Sequence, residues 1–122
     1  MPRLNQLEEQ LVDTKALIER RDNILQLSEN HLFRKVIRED FMVEEAARYV
    51  RESGDPALTD AQRQDALNIA QAAGPLKRYL NMQIALGDQA ASSIENLEAA
   101  IEEMRVEEQM EAPADTNTVE LG

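Results

Sequence analysis

Hydrophobic positions along this chain fall into two long periodic stripes separated by a stretch of different texture. From Arg3 to Leu27, Leu4, Leu7, Leu11, Ile18 and Leu25 occupy a and d positions of one unbroken heptad frame, with Thr14 and Arg21 as polar interruptions. Leu17 and Ile24 widen the stripe towards a bundle-like face, while Glu8, Glu9, Asp13, Glu19, Arg20 and Asp22 take the solvated side. A second frame runs through Leu76, Leu80, Ala90, Ile94, Leu97, Ile101 and Met104, with Gln83 and Gly87 as its gaps. Gly87 and Ala90 remove side-chain bulk and allow another backbone to approach closely. Two such arms most simply cover each other as an antiparallel hairpin, each helix about 37 Å long. Parallel pairing between chains satisfies the same pattern, and the heptads do not separate the two.

The stretch between the arms is punctuated. Ser28 or Asn30 can cap a new helix. Phe33, Val36 and Ile37 form a short apolar face, Asp40 offers a second cap, and FMVEEAARYVRES resumes helical spacing. A kink or restart is therefore expected between Ile37 and Phe41. The loop SGDPAL follows, where Gly54 can end a helix in the left-handed conformation and Pro56 excludes helical geometry at Asp55. Thr59 and Gln62 match a capping box that opens a helix reaching Met110. Pro75 must kink or break that helix, because it cannot donate to the carbonyl of Gln71. All four aromatics, Phe33, Phe41, Tyr49 and Tyr79, fall in the middle of the chain, which points to a packed head.

The expected fold is all-α: an antiparallel coiled-coil hairpin with a small helical head and a flexible C-terminal tail. Residues 1–110 form a single helical domain (arm 3–27, head 30–75, arm 76–110). The polar, stripe-free segment 111–122 is a flexible acidic tail.

Charge sharpens this picture. The chain of 122 residues carries 24 acidic and 13 basic side chains, a net of −11. From Gly87 onward there are 10 acidic residues against Arg105 alone, a net of −9, so the preceding residues carry only −2. The head is mixed, with Arg34, Lys35, Arg38, Arg48, Arg51, Lys77 and Arg78. An electrostatic long axis of this kind suits ordered packing in an assembly, although a charge run is more commonly a solvated helix face. The acidic balance argues against direct contact with nucleic acid or an anionic membrane surface. No apolar run is long enough for a membrane span and no signal-peptide core opens the sequence, so a soluble protein made in a cytoplasm is expected.

Catalytic chemistry finds few candidates. There is no cysteine, and His31 is the only histidine, better read as a cap or surface residue than as half of an acid–base pair. No glycine-rich loop cradles a phosphate, and the glutamates lack the Glu-x-x-His or calcium-loop patterns. No enzyme activity, cofactor or metal is expected. The scattered methionines read as core filler.

The stretch Asn30 to Val50, NHLFRKVIREDFMVEEAARYV, resembles the central motif of a family of small helical proteins encoded by tailed bacteriophages. The resemblance rests on Asn30, Phe33-Arg34-Lys35, Val36-Ile37, Phe41, Glu45-Ala46 and Arg48. In layout it extends over most of the chain, through the Asp55-Pro56 loop and the Leu76 to Leu80 segment, but its specific part is the central motif. Glu39-Asp40 stands where the family has a turn glycine, and Gly74-Pro75 departs from the pattern; both touch the local backbone more than the relationship. The resemblance implies a virion component or assembly helper, made in the host cytoplasm and contacting phage structural proteins. Its docking surface is expected on the head, around Phe33, Arg34, Arg38, Phe41 and Arg48. A homo-oligomer is expected too, because one hairpin leaves Leu17 and Ile24 partly uncovered. The rival reading is a small acidic DNA mimic that blocks a host nucleic-acid-binding enzyme through glutamates 5–6 Å apart on the last arm, roughly a phosphate ridge.

Overall fold

A computed structural model describes residues 2–121 along the backbone and 3–110 with their side chains; the tail expected at 111–122 lies outside the latter. All regular elements among the described residues are helical, and the all-α expectation holds. In chain order they are α1 (Pro2–Glu29), α2 (His31–Phe33), a π-helical segment (Arg34–Glu45), α3 (Ala46–Ser53), α4 (Asp60–Ala70) and α5 (Ala73–Leu121). The chain divides into two compact units. One comprises Met1–Glu19 with Leu86–Gly122, the other Arg20–Ala85.

In the first unit, exposure follows the heptad frames closely. Leu4, Leu7, Leu11, Thr14 and Ile18 of α1 are half-buried, and every neighbour outside the stripe except Glu8 and Leu17 is exposed. On α5 Gly87, Ala90 and Ile101 are buried, and Ile94, Leu97 and Met104 are half-buried together with Ala91, Ala100 and Glu108. Thr14 does not demand a partner from across the stripe, because its hydroxyl donates to the Gln10 carbonyl of its own helix at 2.7 Å. The Arg105 guanidinium meets the Glu8 carboxylate at 3.2 Å, tying the two segments at the surface.

The second unit departs from regular spacing. Ile24 is buried at 7% exposure, whereas Leu25, the expected frame position, is 41% exposed. Ile24 lies one turn before Ser28, on the same face, and the Ser28 hydroxyl accepts from Arg38 at 3.0 Å. Arg38 of the π segment is thereby tied back to the end of α1. With Ile24 buried, one premise of the oligomer expectation is removed.

Asn30 starts the next helix, its side chain accepting from the Phe33 amide at 3.0 Å. No restart follows between Ile37 and Phe41, and Asp40 is not a cap. The chain instead winds on through twelve π-helical residues, with the Ala46 amide donating to the Phe41 carbonyl five residues back. The Asp40 carboxylate accepts from Lys35 at 3.0 Å, and a five-residue spacing is what one π turn brings to a common face. α3 and α4 then pack against each other around the buried Ala66.

Between them, Gly54 ends α3 at φ −102°, ψ 3°, so the left-handed ending expected there does not form. The loop satisfies its polar groups by other means. Asp55 accepts from the Ala57 amide at 2.9 Å, and Arg63 donates to the carbonyls of Asp55 (3.3 Å) and Leu58 (3.1 Å). Arg63 also pairs with Asp60. The capping box is complete: Thr59 accepts from the Gln62 amide and Gln62 from the Thr59 amide. The expected long helix is broken, not kinked. α4 stops at Ala70, a tight turn leads the Ala72 amide to the Ile69 carbonyl, and Pro75 falls in the first turn of α5. A proline there removes an amide that has no helical acceptor anyway. Gly74, lacking a Cβ, relieves the crowding that a helical residue suffers before proline.

Candidate functional site

The π segment and its flanks carry all the residues singled out in the sequence for docking, and the structure sorts them into two groups. Phe33 and Arg38 come together, the guanidinium carbon 5.8 Å from the ring centroid. Arg38 also donates to Ser28 Oγ, and Arg34 reaches the Glu29 carbonyl at 3.4 Å. Both arginines therefore brace the junction between α1 and α2 while remaining exposed. Arg48 belongs to another cluster. It is held by Glu45 at 2.7 Å and Glu52 at 2.6 Å, and its guanidinium lies over Tyr49 at 4.3 Å. The Glu45 hydrogen bond, followed by that with Tyr49, holds its pKa above the ordinary arginine value. Phe41 is half-buried within the π segment.

Lys35 is likewise engaged, by Asp40 at 3.0 Å and Glu39 at 3.7 Å; the Asp40 hydrogen bond and charge raise its pKa. The head's cations thus divide. Lys35 and Arg48 are neutralised locally, whereas Arg34, Arg38, Arg51, Lys77 and Arg78 have no carboxylate partner among the described residues.

Two of those unneutralised cations, Arg38 and Lys77, border a half-open groove of about 490 Å³. Its floor is apolar: Met42, Val43 and Ala46 from the π segment and start of α3, with Ala73 and Leu80 from α5. Of the docking residues read from the sequence, only Arg38 lines this groove. The sequence did carry a signal for the rest: the small residues of AQAAG, Ala70 to Gly74, leave room beside the helix that a larger residue would fill. Leu32, Val36, Val43 and Val50 are large apolar side chains left exposed along α2, the π segment and α3. No residue of the π segment is buried.

The other unit presents the opposite sign. Ala99, Glu102, Glu103, Val106 and Glu107 line a shallow depression on α5, and Val106 and Met110 are exposed. Glu102, Glu103 and Glu107 make no ion pair among the described residues. Among the described residues no group of histidine, cysteine or acidic side chains is arranged to hold a metal, and no helix is long and apolar enough to cross a membrane. Comparison of the chain with protein-family models, with curated proteins and with solved structures finds no match.

Proposed function

We propose that this protein is a non-enzymatic structural or assembly component of a tailed-bacteriophage particle, binding capsid, portal or tail proteins through the helical surfaces of its head. The observation that carries the binding reading is the conjunction, on one surface, of exposed apolar side chains and cations with no carboxylate partner among the described residues. Apolar surface left open beside charges of one sign is the composition of a recognition surface. The phage assignment rests on the central motif, Asn30 to Val50. An antiparallel coiled-coil pairing of α1 with α5 is the scaffold we assign to that head. In its support, Glu8 meets Arg105 in one unit and Arg20 meets Gln83 in the other, at 3.2 Å each.

Capture of the tagged protein from infected cells at moderate salt, with mass spectrometry of what it retains, tests this reading. Stoichiometric capsid, portal or tail proteins are expected, and their loss is expected in an Arg38→Glu, Arg48→Glu double variant. Unchanged capture by that variant removes the head as the docking surface. The exposed glutamates of α5 keep the DNA-mimic reading in play as the competitor. It requires a host nuclease, polymerase or repair enzyme to be captured instead, and to be released when Glu98, Glu102, Glu103 and Glu107 become glutamine.

A further inference from the structure

We propose that the groove beside the π segment receives the acidic end of α5 from a second copy of this chain, producing a head-to-tail contact between copies. The contact concerns the chain alone and does not rest on any virion partner.

The groove offers an apolar floor with Arg38 and Lys77 at its edge. Arg38 is only lightly engaged, by a hydroxyl and an aromatic face, and Lys77 has no ion pair among the described residues. The acidic end of α5 is its counterpart in both respects. Val106 and Met110 supply exposed apolar side chains, and Glu103 and Glu107 flank them with charge that no cation neutralises among the described residues. On one helix those two glutamates stand four residues apart, about 5–6 Å between Cβ atoms, so they present as a pair. An amphipathic helix laid in a groove places its apolar stripe on the floor and its charges against the rim. Opposite charges at that rim add encounter rate and register.

The sequence itself identifies the occupant. The chain carries a net of −9 from Gly87 onward and, elsewhere, an apolar groove bordered by cations with no carboxylate partner among the described residues, so the complementary surfaces belong to one chain. They are different patches, which makes the contact heterologous. Each added copy brings a fresh groove and a fresh acidic end, and association continues past the dimer.

Sedimentation velocity of the full chain over a range of concentrations provides the test. The average mass is expected to climb beyond a dimer, and added salt to weaken association by about tenfold. Val43→Glu with Lys77→Glu blocks the groove and leaves Arg38 intact; Glu103→Lys with Glu107→Lys reverses the acidic end. All four positions are exposed, and circular dichroism verifies retained helix. Each double variant alone should lose self-association by about tenfold or more. An equimolar mixture of the two should regain association, because the intact groove of one variant meets the intact acidic end of the other. A wild-type chain that stays monomeric overturns the proposal. So does undiminished association of either variant, or a mixture that remains monomeric. Should a charge reversal reduce helicity, the alanine pair at 43 and 77 and the glutamine pair at 103 and 107 carry the same expectations.

Discussion

The two units of this molecule are built by different means. Among the described residues of the unit of Met1–Glu19 and Leu86–Gly122, the heptad positions are the covered ones with few additions, and charges decorate the outer face. In the unit of Arg20–Ala85 the heptad rule still holds along α5 at Leu76, Leu80 and Gln83, but it fails at Leu25 in α1. Twelve residues wind as a π-helix with no buried member, large apolar side chains stay exposed, and local polar devices set the geometry: the Asn30 cap, the Thr59–Gln62 box and Arg63 across the loop. The first is arranged to bury a stripe. The second holds backbone in an unusual conformation and, like the first at Val12 and Met110, leaves large apolar side chains exposed. π-Helix is rare outside single turns and is frequently found at functional sites.

If that contrast is right, stability should be concentrated in the stripe. Ile101 is 3% exposed, and Ile101→Ala should cost about 2–4 kcal/mol in urea unfolding followed by circular dichroism. Val43→Ala, at 61% exposure in the π segment, should stay within about 0.5 kcal/mol. Equal losses at the two sites would erase the distinction.

Hydrogen exchange sharpens the same comparison without mutation. Amides from 94 to 105 belong to regular helix beside buried apolar groups, whereas those from 39 to 45 close longer turns with no buried residue beneath them. The second set should exchange at least about tenfold faster. Equal protection would mean that the π segment is as firmly held as the arms.

What the sequence made legible follows regular helix rather than the division into units. Leu76 to Met104 reads correctly because a regular α-helix repeats its faces every 3.6 residues, close to the heptad spacing. Leu25 fails because the position that the fold buries is Ile24, one residue earlier, which the heptad frame does not mark. Caps are short-range chemistry, and both Asn30 and the Thr59 box were readable. The π winding was not, since Asp40 presents the same cap-like side chain whether it starts a helix or pairs with Lys35 five residues earlier. Of the residues read from the motif only Arg38 lines the groove, whose floor required α5 to be placed beside the π segment. The caps also rank next among expected effects. Thr59→Ala and Asn30→Ala should each destabilise the head by about 1 kcal/mol, seen as an earlier thermal transition, with the arms unaffected.

The smallest effect expected belongs to Lys35. Hydrogen bonding to Asp40 and the charges of Asp40 and Glu39 raise its pKa above 10.5. A raised folded-state pKa means that the charged form is favoured by folding. The associated stability is complete below the unfolded value near 10.5 and is lost as the pH climbs through the higher folded value. Lys35 is exposed, so solvent screening keeps the contribution small. A Lys35→Met chain should therefore melt slightly below wild type at neutral pH, and the two curves should converge once the pH exceeds the raised pKa. A difference that persisted there would assign the role of Lys35 to packing of its aliphatic stem rather than to its charge. The ion pair five residues apart would then be a consequence of the π turn and contribute nothing to holding it.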